Sequence, residues 1–397
     1  MKIAIVHYTS WPVVGGVETV IRQHAQLMSR HRHEVSILCG QGTGFDKQVP
    51  TVALPELDSG DSLVTAAQQE AYQGHPRQAY FSLLKALQKL FAQFFIKFDR
   101  VIVHNMFTMP FNLAATQALG AFAEQSGKMI AWTHDLAAVN PFYKIPADRT
   151  FDLIRNRNQR VKYVIISESR AAEFKRLMGG EADAIIPNGL DFPFACAITS
   201  EVAKLVQNAL DASIILLYPT RILERKNIAF ALRIVQALRD IGVRVLLLIS
   251  GALDPHNRSS AEYFVRLKQL AAELQVQASV AWVNELFFVD EPQLHSLYMV
   301  ADAILFPSSQ EGFGLPMLEA AAYRLPVFCS NIEPLRSIAP SGTLLFDLTD
   351  TPRNIAEKIR KTVENDDTFK SRKRLLRNYS AERLYLNKIE PFLQDQP

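Results

Sequence analysis

Short apolar runs of strand length recur along this 397-residue chain, each bounded by turn formers and most followed by a stretch with helical spacing. Ile3 to His7, Glu34 to Leu38, Arg100 to His104, Met129 to Trp132, Tyr163 to Ser167 and Ala184 to Ile186 form a first set. Ile214 to Tyr218, Val243 to Ile249, Ser279 to Trp282, Ala303 to Phe306 and Pro326 to Cys329 repeat the scheme in the second half. A strand with one wet face alternates apolar and polar residues, whereas these runs are apolar on both faces, the condition of a strand inside a parallel sheet. The helical patterns between them, such as Val17 to Arg30, Ile228 to Ile241 and Ala261 to Leu274, supply the crossovers that parallel pairing requires. The expected fold class is therefore α/β, with two Rossmann-like, doubly wound domains, since the length exceeds what one ordinary core organises. Residues 1–195 are assigned to the first and 196–379 to the second, with a linker near Asn188 to Ser200 and a C-terminal helix over 380–397 packing back on the first.

Composition narrows the function classes. The chain is 48% hydrophobic and 21% charged, as in an ordinary globular protein, and its net charge of +3 is too small to argue for nucleic acid. The most apolar internal run, Val243 to Leu253, contains Arg244 and falls short of the roughly 20 residues that cross a bilayer. Met1 to Val6 reads as a strand and not as a signal peptide, and Cys39, Cys196 and Cys329 lie without metal-ligand spacing among apolar neighbours. Buried reduced thiols and a cytoplasmic location are the expectation.

In open parallel sheets ligands bind beyond the carboxyl ends of the strands, and two facing domains make a cleft walled by strand-end loops. The polar motifs fall on such loops. Gly15-Gly16 follows the first strand, His134-Asp135 the strand ending at Trp132, Arg221 and Lys226 the one ending at Tyr218, Gly251 the one ending at Ile249, and Glu311 the one ending at Phe306. The most specific is Glu311-Gly312-Phe313-Gly314-Leu315-Pro316-Met317-Leu318-Glu319. The glycines permit a sharp turn, Pro316 suits the first turn of a helix, and the free N–H groups of Gly314 and Leu315 at its positive end suit a phosphate. Two glutamates at this spacing, taken alone, are usually solvated, and a capped turn with Glu319 favouring the helix start is the bland alternative. Arg221 and Lys226 are two cations of the kind a diphosphate needs, although a bare loop with Arg and Lys is commonly a wet surface. The chain lacks the G-x-G-x-x-G fingerprint of a dehydrogenase, and a lone histidine such as His134 is more often structural than catalytic.

Taken together, Gly15-Gly16-Val17-Glu18, His134-Asp135, Pro187-Asn188-Gly189-Leu190-Asp191, Arg221 with Lys226, and Glu311 through Glu319 resemble the retaining glycosyltransferases of family 4, over nearly the whole chain. The resemblance implies the GT-B fold, two facing Rossmann-like domains with an interdomain cleft. It also implies transfer of a sugar from a nucleoside diphosphate sugar to an acceptor hydroxyl with retained anomeric configuration. It assigns the diphosphate to Arg221 and Lys226, leaving Arg225 doubtful. The nucleotide ribose goes to Glu319, the transferred sugar to Glu311 and His134, and further donor contacts to Gly15, Gly16, Gly251, Phe313, Gly314 and Leu315. Asp135 is an orienting or structural carboxylate, placed with the acceptor. Enzymes of this kind are read as front-face, with Glu311 as a covalent nucleophile the minority reading. No metal or other cofactor is required, because the cations and the helix end supply the positive charge. Asn284 stands where relatives often have a glycine near the base, so UDP, GDP and ADP stay open.

Between Arg149 and Arg176, eight cations face three carboxylates, a local +5. Either a solvated basic face or an anionic acceptor explains it, and on the second reading Arg155, Arg157 and Arg160 hold a small soluble acceptor of sugar phosphate or glycerate type. The basic amphipathic segment Lys85 to Phe98 reads as a core helix in preference to a membrane-surface one. A glycosyltransferase acting on a lipid or growing glycan at the membrane surface, and a nucleotide-sugar-binding protein without catalysis, are the rival readings. Binding to nucleic acid and a transmembrane span are not expected, and a peripheral membrane contact is disfavoured.

Overall fold

A computed structural model describes residues 1–211, 213–252 and 259–395. Leu253 at the end of the most apolar run, and the last two residues of the expected C-terminal helix, lie outside them. The chain divides into two compact units, Met1–Gly189 with Ala381–Pro397, and Leu190–Ser380.

The first unit is built on seven strands: β1 (Lys2–Thr9), β2 (Glu34–Gln41), β3 (Thr51–Ala53), β4 (Arg100–His104), β5 (Met129–Thr133), β6 (Lys162–Ile165) and β7 (Ala184–Ile185). They pair in parallel in the order β3-β2-β1-β4-β5-β6-β7. Alternate residues of β1 enter different cores: Ala4 and Val6 pack with Leu83, Leu87 and Phe91, while Ile3 and Ile5 pack with Ile21, Ala25 and Met28. Both faces are covered, so each of the larger of these side chains contributes about 1.5–3 kcal/mol of burial, which accounts for continuous apolar runs where a half-exposed strand would alternate.

Helix Gly16–Arg30 covers one face, and helices Gln78–Phe95 and Leu113–Ser126 the other. The expected amphipathic segment thus turns its apolar side inward through Leu84, Leu87, Phe91 and Phe95, leaving Lys85 and Lys89 outside. Residues 381–395 belong to this unit, with Tyr385, Ile389 and Leu393 in the core beside Ile3 and Ile5. His31 pairs with Glu382 at 2.7 Å and His33 with Glu390 at 2.8 Å. The chain leaves the first unit at Gly189, before the expected boundary at 195, and helix Phe192–Ala195 belongs to the second.

The second unit carries β8 (Ile214–Tyr218), β9 (Val245–Ile249), β10 (Val280–Trp282), β11 (Ala303–Phe306), β12 (Val327–Ser330) and β13 (Leu344–Phe346), all parallel, in the order β10-β9-β8-β11-β12-β13. The edge strands β3 and β13 went unread in the sequence, being three residues each and only partly buried. Strand order reverses between β1 and β4 in one sheet and between β8 and β11 in the other. Such a reversal sends adjacent connections to opposite faces and opens a crevice at the carboxyl ends. Cys39 and Cys329 are buried, where desolvation raises their thiols to about 11 and about 12, whereas Cys196 is only half-buried.

Candidate active site

In the second unit the loops after β8 and β11 meet at the reversal of strand order. Lys226 follows β8, and its Nζ lies 2.5 Å from Glu311 Oε1, with only 12% and 6% of the two side chains exposed. Ser308 Oγ donates to the same carboxylate oxygen at 2.6 Å, Tyr218 OH donates to the Lys226 carbonyl, and the two hydroxyl oxygens lie 2.9 Å apart. The ammonium also lies over the Phe306 ring at 5.4 Å. Burial pushes the Lys226 pKa down, and Glu311 opposes that shift. Arg225 approaches the outer carboxylate oxygen at 3.7 Å, and Arg221 is exposed beyond the end of β8.

The turn after β11 behaves as its residues dictate. Gly314 has φ +97°, a conformation that strains any side chain, and it is followed by helix Leu315–Ala322 with Pro316 in the first turn. Gly312 has open space around it, and Phe313 and Leu315 are exposed. Glu319 does not sit at the helix start. It lies a turn further on, where it accepts a bond from Tyr298 OH, and Tyr298 in turn stacks on Tyr323 at 4.8 Å. Gly251 is needed by the protein itself, because a Cβ there would lie 1.5 Å from the Thr220 carbonyl oxygen. Asn284 donates to the Ser250 carbonyl, tying the β10 loop to the end of β9.

In the first unit a groove of about 560 Å³ is lined by Gly16, His134, Asp135, Ser167, Arg170 and Asn188, among others. Ser167 caps helix Glu168–Met178, and Arg170 in its first turn reaches Asp135 at 3.2 Å and Glu173 at 2.6 Å. His134 is 6% exposed, with Nε2 3.0 Å from His104 Nδ1 and its backbone N–H donating to Asn105 Oδ1 at 2.7 Å. Burial, reinforced by His24 and His7, brings the His134 pKa down to about 3, so it stays neutral at physiological pH. Gly15 caps helix Gly16–Arg30, and a Cβ on it would collide with the Glu18 carboxylate, whose Oε1 accepts from Thr9.

The arginines of the basic stretch have partners within the protein. Arg155 donates to the carbonyls of Ile145, Pro146 and Asp148, and Arg157 to the Glu181 carbonyl and to Asp183 at 2.7 Å. Arg160 is largely exposed, 3.8 Å from Glu124. None of the three lines the groove with His134 and Asp135. The local +5 is met by carboxylates remote in sequence, including Glu124, Asp135, Glu181, Asp183 and Asp395. Sequence reasoning missed His104 and Asn105 in the first unit and Tyr218, Tyr298 and Ser308 in the second, and gave no individual role to Asn188, within its motif, or to Arg170, within the basic stretch. The strand-end rule points to His104 and Asn105, since β4 ends there. Buried hydroxyls such as Tyr218 and Ser308 carry no comparable signal.

Among the described residues no helix is long and apolar enough to cross a membrane. Residues 14–192 match the model of the family described as Glycosyltransferase Family 4, and residues 202–381 that of Glycosyl transferases group 1. The mannosylglucosylglycerate synthase of Petrotoga mobilis is 26% identical over 86% of this chain and 85% of its own length. Its namesake from Thermotoga maritima is 25% identical over 88% and 85%. The sucrose-phosphate synthase of Thermosynechococcus elongatus aligns over 99% of this chain and 98% of its own, at 19% identity and a TM-score of 0.40. With a family model on each of its two parallel-sheet Rossmann-like units, the chain belongs to the family 4 glycosyltransferases of GT-B fold.

Proposed function

We propose that the protein transfers a hexosyl group, with retention, from a nucleoside diphosphate sugar to a hydroxyl of a small anionic acceptor of glycerate or sugar phosphate type. The observation that carries the donor half is Lys226, held by Glu311 where strand order reverses, with the N-terminus of helix Leu315–Ala322 on the same strand-end loop as Glu311. A diphosphate leaving group gains negative charge as the glycosidic bond breaks, so fixed cations and free N–H groups there stabilise the transition state more than the ground state. Arg221 and Lys226 take the diphosphate with the N–H groups of Gly314 and Leu315. Glu319 takes the ribose, and Gly15, Gly16, Gly251 and Phe313 complete the donor contacts.

Glu311 Oε1 already accepts from Lys226 and Ser308, which suits a carboxylate that orients the cation and meets a sugar hydroxyl better than one that attacks carbon. The front-face route follows, in which the departing phosphate oxygen takes the acceptor's proton. No metal is needed on this reading. Two relatives matching most of the chain, each named a mannosylglucosylglycerate synthase, support a glycerate-type acceptor. Arg170, which lines the groove while pairing with Asp135 and Glu173, is the cation assigned to it.

The test is release of nucleoside diphosphate from UDP-, GDP- and ADP-sugars, offered in turn with glycerate, glycosylglycerates, sugar phosphates and lipid-linked acceptors. We expect turnover with an anionic soluble acceptor, unaffected by EDTA, and a product whose anomeric configuration by NMR matches the donor. Transfer only to lipid-linked acceptors would overturn the acceptor, inversion would overturn the mechanism, and nucleotide binding without transfer would leave a non-catalytic binder.

A further inference from the structure

The family resemblance assigns His134 to the transferred sugar, a role that rests on the proposed function, and its neighbours determine in which form it can meet one. His104, the last residue of β4, is fully buried, its ring stacked on His134 at 5.3 Å and on Trp132 at 6.0 Å. Its carbonyl accepts from His7 Nδ1 at 2.9 Å, which fixes the end of the strand against β1. On the far side of the His134 ring, Asn188 Nδ2 faces Nδ1 at 3.4 Å. In this amide orientation, which leaves Asn188 Oδ1 buried without a partner, the NH2 group donates to Nδ1, and Nδ1 then carries no proton. A neutral imidazole has one N–H, which must then be on Nε2, donating across 3.0 Å to His104 Nδ1. The His104 proton is left on its Nε2, a buried atom without a partner. Burial and the mutual repulsion of His7, His24, His104 and His134 keep both rings uncharged. The other charged groups nearby are Glu18, 3.9 Å from His7 Nε2, and Asp135 with Arg170 at the groove.

The geometry points to His104 as a positioning residue that holds His134 as the neutral Nε2–H tautomer, so that Nδ1 offers a lone pair to a sugar hydroxyl in the groove. The Asn188 contact is long enough for a hydroxyl at ordinary hydrogen-bond distance to displace it. On this view the first unit recognises a hydroxyl through an acceptor nitrogen whose state does not change with physiological pH.

Histidine-selective ¹⁵N labelling and long-range ¹H–¹⁵N correlation on the unmodified protein read the tautomer directly. We expect His134 with Nε2 protonated and Nδ1 bare throughout the pH range of activity. His104→Phe keeps a ring in the stack but removes the acceptor, and should lower kcat about tenfold with little change in donor KM, leaving His134 a mixture of tautomers. His104→Asn places a carboxamide oxygen near the lost Nδ1 and should restore most of the turnover, which a merely space-filling role would not predict. A Nδ1–H tautomer in the parent protein, or His104→Phe with parental kcat and tautomer, would overturn the proposal. The parent spectrum needs no variant, so a variant that fails to fold does not remove the test. Parental turnover in His134→Ala would sink the sugar-facing role itself, and the spectrum would still decide what His104 does.

Discussion

The two units place polar side chains at equivalent points of similar sheets but prepare them in opposite ways. Where strand order reverses in the first unit, the groups are imidazoles packed on Trp132 and on one another, and burial strips their charge. At the corresponding reversal in the second unit, a largely buried ammonium is kept beside a carboxylate, itself held by Ser308, and over an aromatic face. The lesson is a division of labour. On the proposed function, the second unit supplies the charge that answers a departing diphosphate, and the first supplies directional, uncharged hydrogen bonding to a sugar hydroxyl. An isolated buried ammonium would lose its proton or destabilise the fold, so Glu311 belongs to the preparation of Lys226.

The contrast can be broken most sharply at Lys226. Lys226→Ala should cost on the order of 10² or more in turnover at saturating donor, because it removes stabilisation made chiefly in the transition state, whereas His134→Ala should cost nearer tenfold. Equal losses in steady-state assays of the folded variants would erase the distinction. The histidine cluster makes the next largest claim. His24 and His134 titrate at about 4 and about 3 in the folded protein but near 6.5 when unfolded. Between those values the unfolded chain binds the extra protons, so stability rises with pH through this window and is lost as pH falls from 6.5 toward 3. Each group adds at most about 1.4 kcal/mol per pH unit to the slope. Denaturant melts from pH 4 to 7 should show a shallower slope in His24→Phe than in the parent, and identical slopes would mean that the cluster is not held neutral.

Smaller effects separate binding from chemistry. Glu319→Ala should weaken free nucleotide and donor alike by about tenfold, with kcat nearly kept, since a ribose contact is the same in ground and transition states. Unchanged nucleotide affinity by calorimetry would remove that assignment. The smallest effect on activity is expected at Arg157. Arg157→Gln should leave the acceptor KM within about twofold of the parent while lowering stability by about 1–3 kcal/mol, because it strips a partner from Asp183 and from the Glu181 carbonyl. A large rise in acceptor KM would return the basic stretch to the active site.

Much of this was legible in the chain. Ile214–Tyr218 and Ala303–Phe306 are strands with the bounds that their apolar runs suggest, because burial on both faces leaves few other uses for such runs. The turn through Gly314 and Pro316 forms for local reasons, a positive φ followed by a residue already set for the first turn of a helix. What the sequence did not show of the basic stretch is its partners, because charge counted along a segment says nothing about remote groups. Asp183 comes to Arg157 through the β6–β7 pairing, and Asp395 to Lys162 through the returning C-terminal segment.

Sequence by itself therefore determined the class of fold, the strand-end placement of the polar motifs and the family, since local backbone preference and apolar pattern are written residue by residue. Tertiary structure alone decided which groups are charged and which are already engaged. Neutral His134, Lys226 bound to Glu311, and Arg155 and Arg157 tied to the protein's own carbonyls and to Asp183 all depend on desolvation and on partners brought from distant segments. Neither quantity exists until the chain has folded.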